Sequence, residues 1–283
     1  MLGLKFFDNT DALTLGAILA LAQRDKLALE LAVYNGRGID SVQRLSAMDE
    51  YMQIKRKSLH LNYRLYTGSS LSTPDEVAGF EFEMWVARSL GISECVLHYF
   101  HRPDKAVGLE ALSQPELSDN LHRLAQLADR RGVRIYIENT LIERRWDPCN
   151  RLEVMRSIWD TILEHGLQTH LGMCLDWGHV KAFTGGESMT VWLDYARQLF
   201  NAGLPMYMHI HTNDGQKDQH WSIPQGLELG CEGSKHPDDA PFLDLLACSQ
   251  KIYESSPLIL EYDAQRAVQD YLWTKRELQG RPA

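Results

Sequence analysis

The chain has 283 residues, 44% of them hydrophobic and 24% charged, with a formal net charge of −9. That composition excludes a disordered or fibrous chain, and the acidity argues against a broad grip on nucleic acid, although Arg144-Arg145 leaves a local basic patch open. The longest apolar run, Leu13 to Ala22, is broken by Gly16 and too short to span a bilayer. The opening residues also lack the basic region, apolar core and cleavage site of a signal peptide, so a cytoplasmic protein without a membrane partner is expected.

In chain order the same unit recurs: a short apolar strand, a polar strand end, then an amphipathic helix. Leu2 to Phe7 and Leu29 to Tyr34 read as the first two strands, with "LTLGAILALAQRDK" as the helix between them. "SLHLNY" is the third strand. Thr73-Pro74-Asp75-Glu76 is a capping box with proline in the first turn, opening a helix that ends at Gly91. "CVLHYF" is the fourth strand, followed by a helix from about Ser113 to Gly132. "VRIYIENT", "LGMCLDWGH", "LPMYMHIHTND" and "PLILEYD" are strands five to eight, with helices opening near Leu152, Thr190, Asp239 and Gln265. The five cysteines have no C-x-x-C spacing, which suggests neither a disulfide framework nor a zinc finger; Cys95 and Cys174 are expected as core thiols.

Eight strand and helix pairs without a linker predict one (β/α)8 barrel spanning residues 1–283 as a single domain. The competing open sheet lacks any G-x-G-x-x-G or Walker sequence at a strand end. In a barrel the carboxyl ends of all strands meet on one face, and here those ends carry His60, His98, Glu138, Asp176 with His179, His209 with His211, and Glu261. Each has an ordinary explanation: a lone strand histidine is usually a satisfied core residue, and Asp176-x-x-His179 can be a helix N-cap beside a surface histidine. Jointly they crowd one mouth with carboxylates and imidazoles, which calls for a cation. Alternation puts His209 one step deeper than His211, where it is expected to donate to a ligand carboxylate or carbonyl. His101 is a candidate substrate contact, whereas His122, His165, His170 and His236 fall on helices or loops and read as structural or solvated.

These motifs resemble the xylose isomerase-like TIM barrel superfamily, which includes sugar phosphate isomerases and epimerases and the endonuclease IV (AP endonuclease family 2) branch. Nine positions match the latter branch: His60 in "SLHLNY", His98 in "VLHYF", Glu138 in "IYIENT", Asp176 and His179 in "CLDWGH", His211 in "HIHTND", Asp218 and His220 in "DQH", and Glu261 in "LILEYD". The resemblance implies up to three zinc ions: one on His60 and His98, one on Asp176, His211 and Glu261 with Glu138 bridging the two, and one on His179, Asp218 and His220. A ligand set of imidazole and carboxylate without thiolate also suits manganese or iron. The stretch after Asp218-x-His220 departs from that branch, with Pro224 and Gln225 in place of a "GEG" turn.

The isomerase and epimerase branch shares Glu138, Asp176, His179, His211 and Glu261. It implies a divalent-metal enzyme on a small carbohydrate or sugar phosphate, with Glu138 and Glu261 as acid and base and His179 beside them. Lys217 is a candidate substrate cation. Trp177, with Trp85, Trp146 and Trp221, is a candidate sugar-binding wall, although barrel aromatics usually serve packing. The alternatives are an endonuclease IV-like trinuclear zinc phosphodiesterase, acting at an abasic site or on a small phosphoester, and a metal-dependent binding protein without catalysis. The oligomeric state stays open.

Overall fold

Eight parallel strands close into a barrel in sequence order: β1 (Leu2–Phe7), β2 (Ala28–Ala32), β3 (Lys57–His60), β4 (Glu94–His98), β5 (Arg134–Glu138), β6 (Leu171–Asp176), β7 (Met206–Ile210) and β8 (Leu258–Leu260), with β8 pairing back on β1. This computed structural model describes residues 1–34, 38–62, 71, 73–99, 113–140, 151–182, 188–215, 219–231, 242–248 and 250–279. The (β/α)8 expectation is met.

Strand side chains alternate between two faces, and here the faces differ in content. Leu29, Leu31, Ile135, Ile137, Met206 and Met208 join the large core between the barrel and its helices. Ala28, Val96, Tyr136, Cys174, Tyr207 and Ile259 form a separate cluster, which alternation places inside the barrel as an apolar plug. Cys95 and Cys174 are fully buried thiols.

The helices start where side chains can satisfy the first free N–H groups. Asp11 accepts from the Thr14 N–H at 2.9 Å ahead of α1 (Ala12–Asp25). α2 (Gly38–Ser46) and α3 (Asp49–Met52) fill the β2–β3 connection. α2 is not among the expected helices; it buries Gly38, Ser41 and Leu45. The expected capping box of Thr73 and Glu76 opens α4 (Pro74–Ser89), and one of Ser113 and Glu116 opens α5 (Gln114–Arg131). Gly132 ends α5 at φ 64°, a left-handed angle that costs glycine least.

The carboxyl-terminal half continues with α6 (Leu152–Glu164), α7 (Trp177–Ala182), α8 (Met189–Asn201), α9 (Ile223–Glu228), α10 (Phe242–Cys248), α11 (Gln250–Ser255) and α12 (Ala264–Gln279). The sequence pattern carries strand six on to His179, but the strand stops at Asp176 and α7 begins at once. The cause is local: Asp176 Oδ1 accepts the His179 N–H at 2.8 Å, as an N-cap does. Among the described residues, no helix is long and apolar enough to cross a membrane.

Candidate metal centre

Two residues beyond each member of the plug, the strand returns a side chain to the inside, one pleat nearer the carboxyl ends. Ala28 is thus followed by Glu30, Val96 by His98, Tyr136 by Glu138, Cys174 by Asp176, Tyr207 by His209 and Ile259 by Glu261. β1 and β3 add Lys5 and His60. The result is a ring of ionisable groups standing on an apolar floor. Glu30, Glu138, Asp176, His209 and His211 are 0% exposed, Lys5 and His60 1%, and Glu261 5%.

Charge this deep needs partners. His209 Nδ1 donates to Glu138 Oε1 at 2.8 Å, as expected of a histidine behind the ligands, and its Nε2 donates to Glu30 Oε2 at 3.0 Å. The Lys5 ammonium donates to Glu261 and stands 3.5 Å from Glu30 Oε1. His60 Nε2 and His98 Nε2 lie 3.2 and 2.8 Å from Glu138 Oε2, and His211 Nε2 lies 3.1 Å from Asp176 Oδ1. Burial pushes the Glu138 carboxyl up, but the His209 and His98 rings outweigh it and hold the group well below the usual carboxylate range. Burial is outweighed at Glu261 in the same way, by Lys5, His220 and His209. Burial pulls the Lys5 ammonium down, yet Glu261 and the other acidic groups around it raise it well above an ordinary lysine.

Neighbouring residues fix the ligand side chains. Asn139 ties β5 to β6, its Nδ2 donating to the Asp176 carbonyl at 3.0 Å and its Oδ1 accepting the Asp176 N–H at 2.7 Å. The His179 ring contacts the Asn139 carbonyl through Nδ1 at 2.7 Å, which makes Nδ1 the protonated nitrogen and leaves the lone pair on Nε2. His179 is 4% exposed, so the alternative of a surface histidine is set aside while the N-cap role of Asp176 holds. Gly178 has to be glycine, because a Cβ there would overlap the His211 ring. His220 sits at φ 50°, in the left-handed region that few side chains adopt. An isolated bridge between Thr212 and Trp221 folds its loop back, so that the His220 ring stacks on His211 with centroids 4.3 Å apart.

Several groups of donor atoms lie within 4.8 Å of one another and could hold a metal ion, among them His60, His98 and Glu138; Asp176, His179 and His211; and His211, His220 and Glu261. The residues fit a divalent cation on a further ground. Asp176 Oδ2 and Glu261 Oε2 are buried and accept no hydrogen bond from the described residues. The three-ion arrangement implied by resemblance pairs His220 with His179, whereas the His220 Nδ1 lies 3.4 Å from Glu261 Oε1.

Asp218, Lys217 and His101, along with Trp146, lie outside the described residues. Trp177 is 1% exposed, and Trp85 lies on the outer helix α4, 44% exposed and stacked on Phe82. Sequence reasoning passed over Lys5, Glu30 and Tyr34, whose hydroxyl is 2.7 Å from His60 Nδ1. The signal for the first two was a single charge inside an otherwise apolar strand.

A family model described as xylose isomerase-like TIM barrel matches residues 40–276. Solved structures share the architecture over nearly the whole chain. A D-tagatose 3-epimerase-like protein has 17% identity and a TM-score of 0.66, covering 98% of this chain and 97% of that one. A 3-keto-D-glucoside 4-epimerase from E. coli has 15% identity and a TM-score of 0.62, covering 97% and 98%. A Thermus thermophilus protein soaked with zinc chloride has 19% identity and a TM-score of 0.60, covering 99% of both. Likeness at these identities establishes the fold. No curated protein matches the chain by sequence.

Proposed function

The chain belongs to the xylose isomerase-like TIM barrel family, and from that premise we propose that it is a divalent-metal-dependent enzyme that isomerises or epimerises a small carbohydrate or sugar phosphate. The carrying observation is the order of residues round the ring. Glu138, Asp176, His211 and Glu261 come from four consecutive strand ends, β5 to β8, so the two glutamates flank the other two ligands. Both glutamates lie near one His209 nitrogen, Glu138 Oε1 at 2.8 Å and Glu261 Oε2 at 3.3 Å.

Glu138, Asp176, His211 and Glu261 would hold the ion, with zinc or manganese suiting the donors. Once bound, it supplies Lewis acidity that polarises a sugar carbonyl and the neighbouring hydroxyl. Both glutamates start ionised at neutral pH, so one would take the proton from the carbon beside the carbonyl, the other would draw the proton of the neighbouring hydroxyl and deliver it to the opposite face of that carbon, and the first would return its proton to the hydroxyl oxygen. His179 stands beside the same cluster, its Nδ1 3.7 Å from Asp176 Oδ2. Lys217 and His101 are assigned to the substrate's polar end.

A second reading, hydrolysis of a phosphoester, has its own observation in its favour. The His60, His98 and Glu138 group is a further set of donors that a four-ligand isomerase does not require.

The test combines metal analysis by plasma mass spectrometry with turnover on panels of ketoses, aldoses and phosphoesters. Under the isomerase reading, Glu138→Gln and Glu261→Gln each lower sugar turnover by about 10²–10⁴-fold, and His60→Ala costs far less. Phosphoester turnover that collapses equally in His60→Ala would replace it with the hydrolase reading. Metal-loaded protein inert on every panel would leave a binding protein.

A further inference from the structure

Two fully buried ions, Lys5 on β1 and Glu30 on β2, take no part in the metal ligation and proton transfer described above. They are register partners across the first two strands. Each reaches one of the two glutamates assigned to acid and base. Glu30 Oε2 takes the Nε2 proton of His209 at 3.0 Å, and the opposite nitrogen of that ring donates to Glu138 Oε1 at 2.8 Å. The Lys5 ammonium bridges Glu30 and Glu261.

An imidazole is rigid, so a carboxylate on each nitrogen fixes both its plane and its depth. With His209 and Glu30 wholly buried, no water can replace either hydrogen bond, and rotation of the ring would break both. Glu30, His60 and His209 also lie close enough to resemble another metal group. There the Lys5 Nζ, 3.5 Å from Glu30 Oε1, already supplies the cation, and both His209 nitrogens are engaged. This deeper layer pairs its charges, although Glu30 Oε1 accepts no hydrogen bond from the described residues, and it bears on the layer above.

We propose that Glu30 is a positioning residue: through His209 it sets the orientation of Glu138, and with Lys5 it anchors Glu261, so the metal site is formed before a metal arrives. The proposal rests on the metal-dependent reading of the mouth.

Cobalt(II) alone, added to the full chain, is the probe. Its affinity is read by competition with a chromophoric chelator and its coordination by the visible absorption band. Glu30→Gln removes the charge and the strong acceptor. Glu30→Asp keeps the charge facing Lys5 and shortens the arm, so it isolates reach from charge and decides the matter if Glu30→Gln does not fold. Both variants are expected to bind cobalt at least about ten-fold more weakly, with an altered band. In a His209→Gln background, Glu30→Gln should cost less than it does in the parent, because the His209 branch is already cut and only the Lys5 branch remains. Parent-like affinity and band in Glu30→Asp, or full additivity in the double variant, would overturn the proposal while leaving metal dependence intact. A parent chain that takes up no cobalt would remove both.

Discussion

At the amino end of the barrel, Arg56 meets Glu94 through two hydrogen bonds of 2.8 Å each, and the Tyr136 hydroxyl donates to the same carboxylate at 2.9 Å. At the carboxyl end, Asp176 and Glu261 each keep a buried oxygen that accepts no hydrogen bond from the described residues. Charge is paired at one end, within reach of water, and left open and buried at the other. In the open ring, four buried carboxylates, Glu30, Glu138, Asp176 and Glu261, face the Lys5 ammonium and a His209 ring that donates from both nitrogens. Counting these groups alone, and leaving out the His98 and His220 rings at the rim, two negative charges remain, the charge of one divalent ion. The first metal is therefore expected to bind tightly and any further ion more weakly.

Lys5→Met is the strongest way to break this contrast, since it strips the open end of its fixed cation. With chelator present, it should destabilise the chain by about 3–5 kcal/mol at pH 7, as removing one partner of a buried pair does. Urea unfolding measures it, and pH sharpens it. Glu138 and Glu261 have folded pKa values below their ordinary 4.5. Their contribution is present above that pH and is lost as the pH falls through the lower folded values. Metal-free parent should thus hold its stability down to about pH 4.5 and weaken below it. The gap to Lys5→Met should narrow in acid, as Glu261 without its ammonium takes up a proton. A gap unchanged from pH 7 to pH 4 would mean that Lys5 acts by packing alone.

Metal removal comes next. An ion supplied at a thousand times its dissociation constant stabilises the folded chain by about 4 kcal/mol. For a chain of this size that is a melting rise of roughly 7 °C. Equal melting with zinc and with chelator would refute the cation deficit. Gly178→Ala then tests geometry without touching charge: the new methyl displaces the His211 ring, so zinc affinity should fall by about ten-fold or more with the barrel intact. Competition with a chromophoric chelator reads it, and parent-like affinity would show that His211 does not need its observed position.

Much of this contrast is legible in the sequence. The eight strands stand out because apolar runs at barrel spacing leave few other folds, and the mouth stands out because carboxylates and histidines close those runs. Glu261 followed from its place at a strand end, whereas Asp218 was offered by resemblance and lies outside the described residues. The deeper layer was hidden for a physical reason. Lys5 in "LGLKFF" and Glu30 in "ALELA" are single charges in mid-strand, and only the barrel's closure brings β1, β2 and β8 together so that they pair. The rule that recovers them is alternation counted from the plug: the position two beyond Ala28 is Glu30. α7 was hidden because Asp176 serves at once as strand end, helix cap and candidate ligand, and local pattern reports only one role at a time.

The smallest effect is expected at the paired end, where it serves as the control. Arg56→Met removes both hydrogen bonds to Glu94, whose side chain is 14% exposed beside an arginine 28% exposed. Water reaches both groups, and the Tyr136 hydroxyl stays on the carboxylate, so the loss should be about 1 kcal/mol, near the upper range for exposed pairs. Urea unfolding would show the shift, and Glu94→Gln combined with Arg56→Met should cost less than the two single changes together, because each removes the same pair. Zinc affinity should not move. If it did, the two ends of the barrel would be coupled through the plug, and the open charge at the mouth could not be treated as a local property of the strand ends.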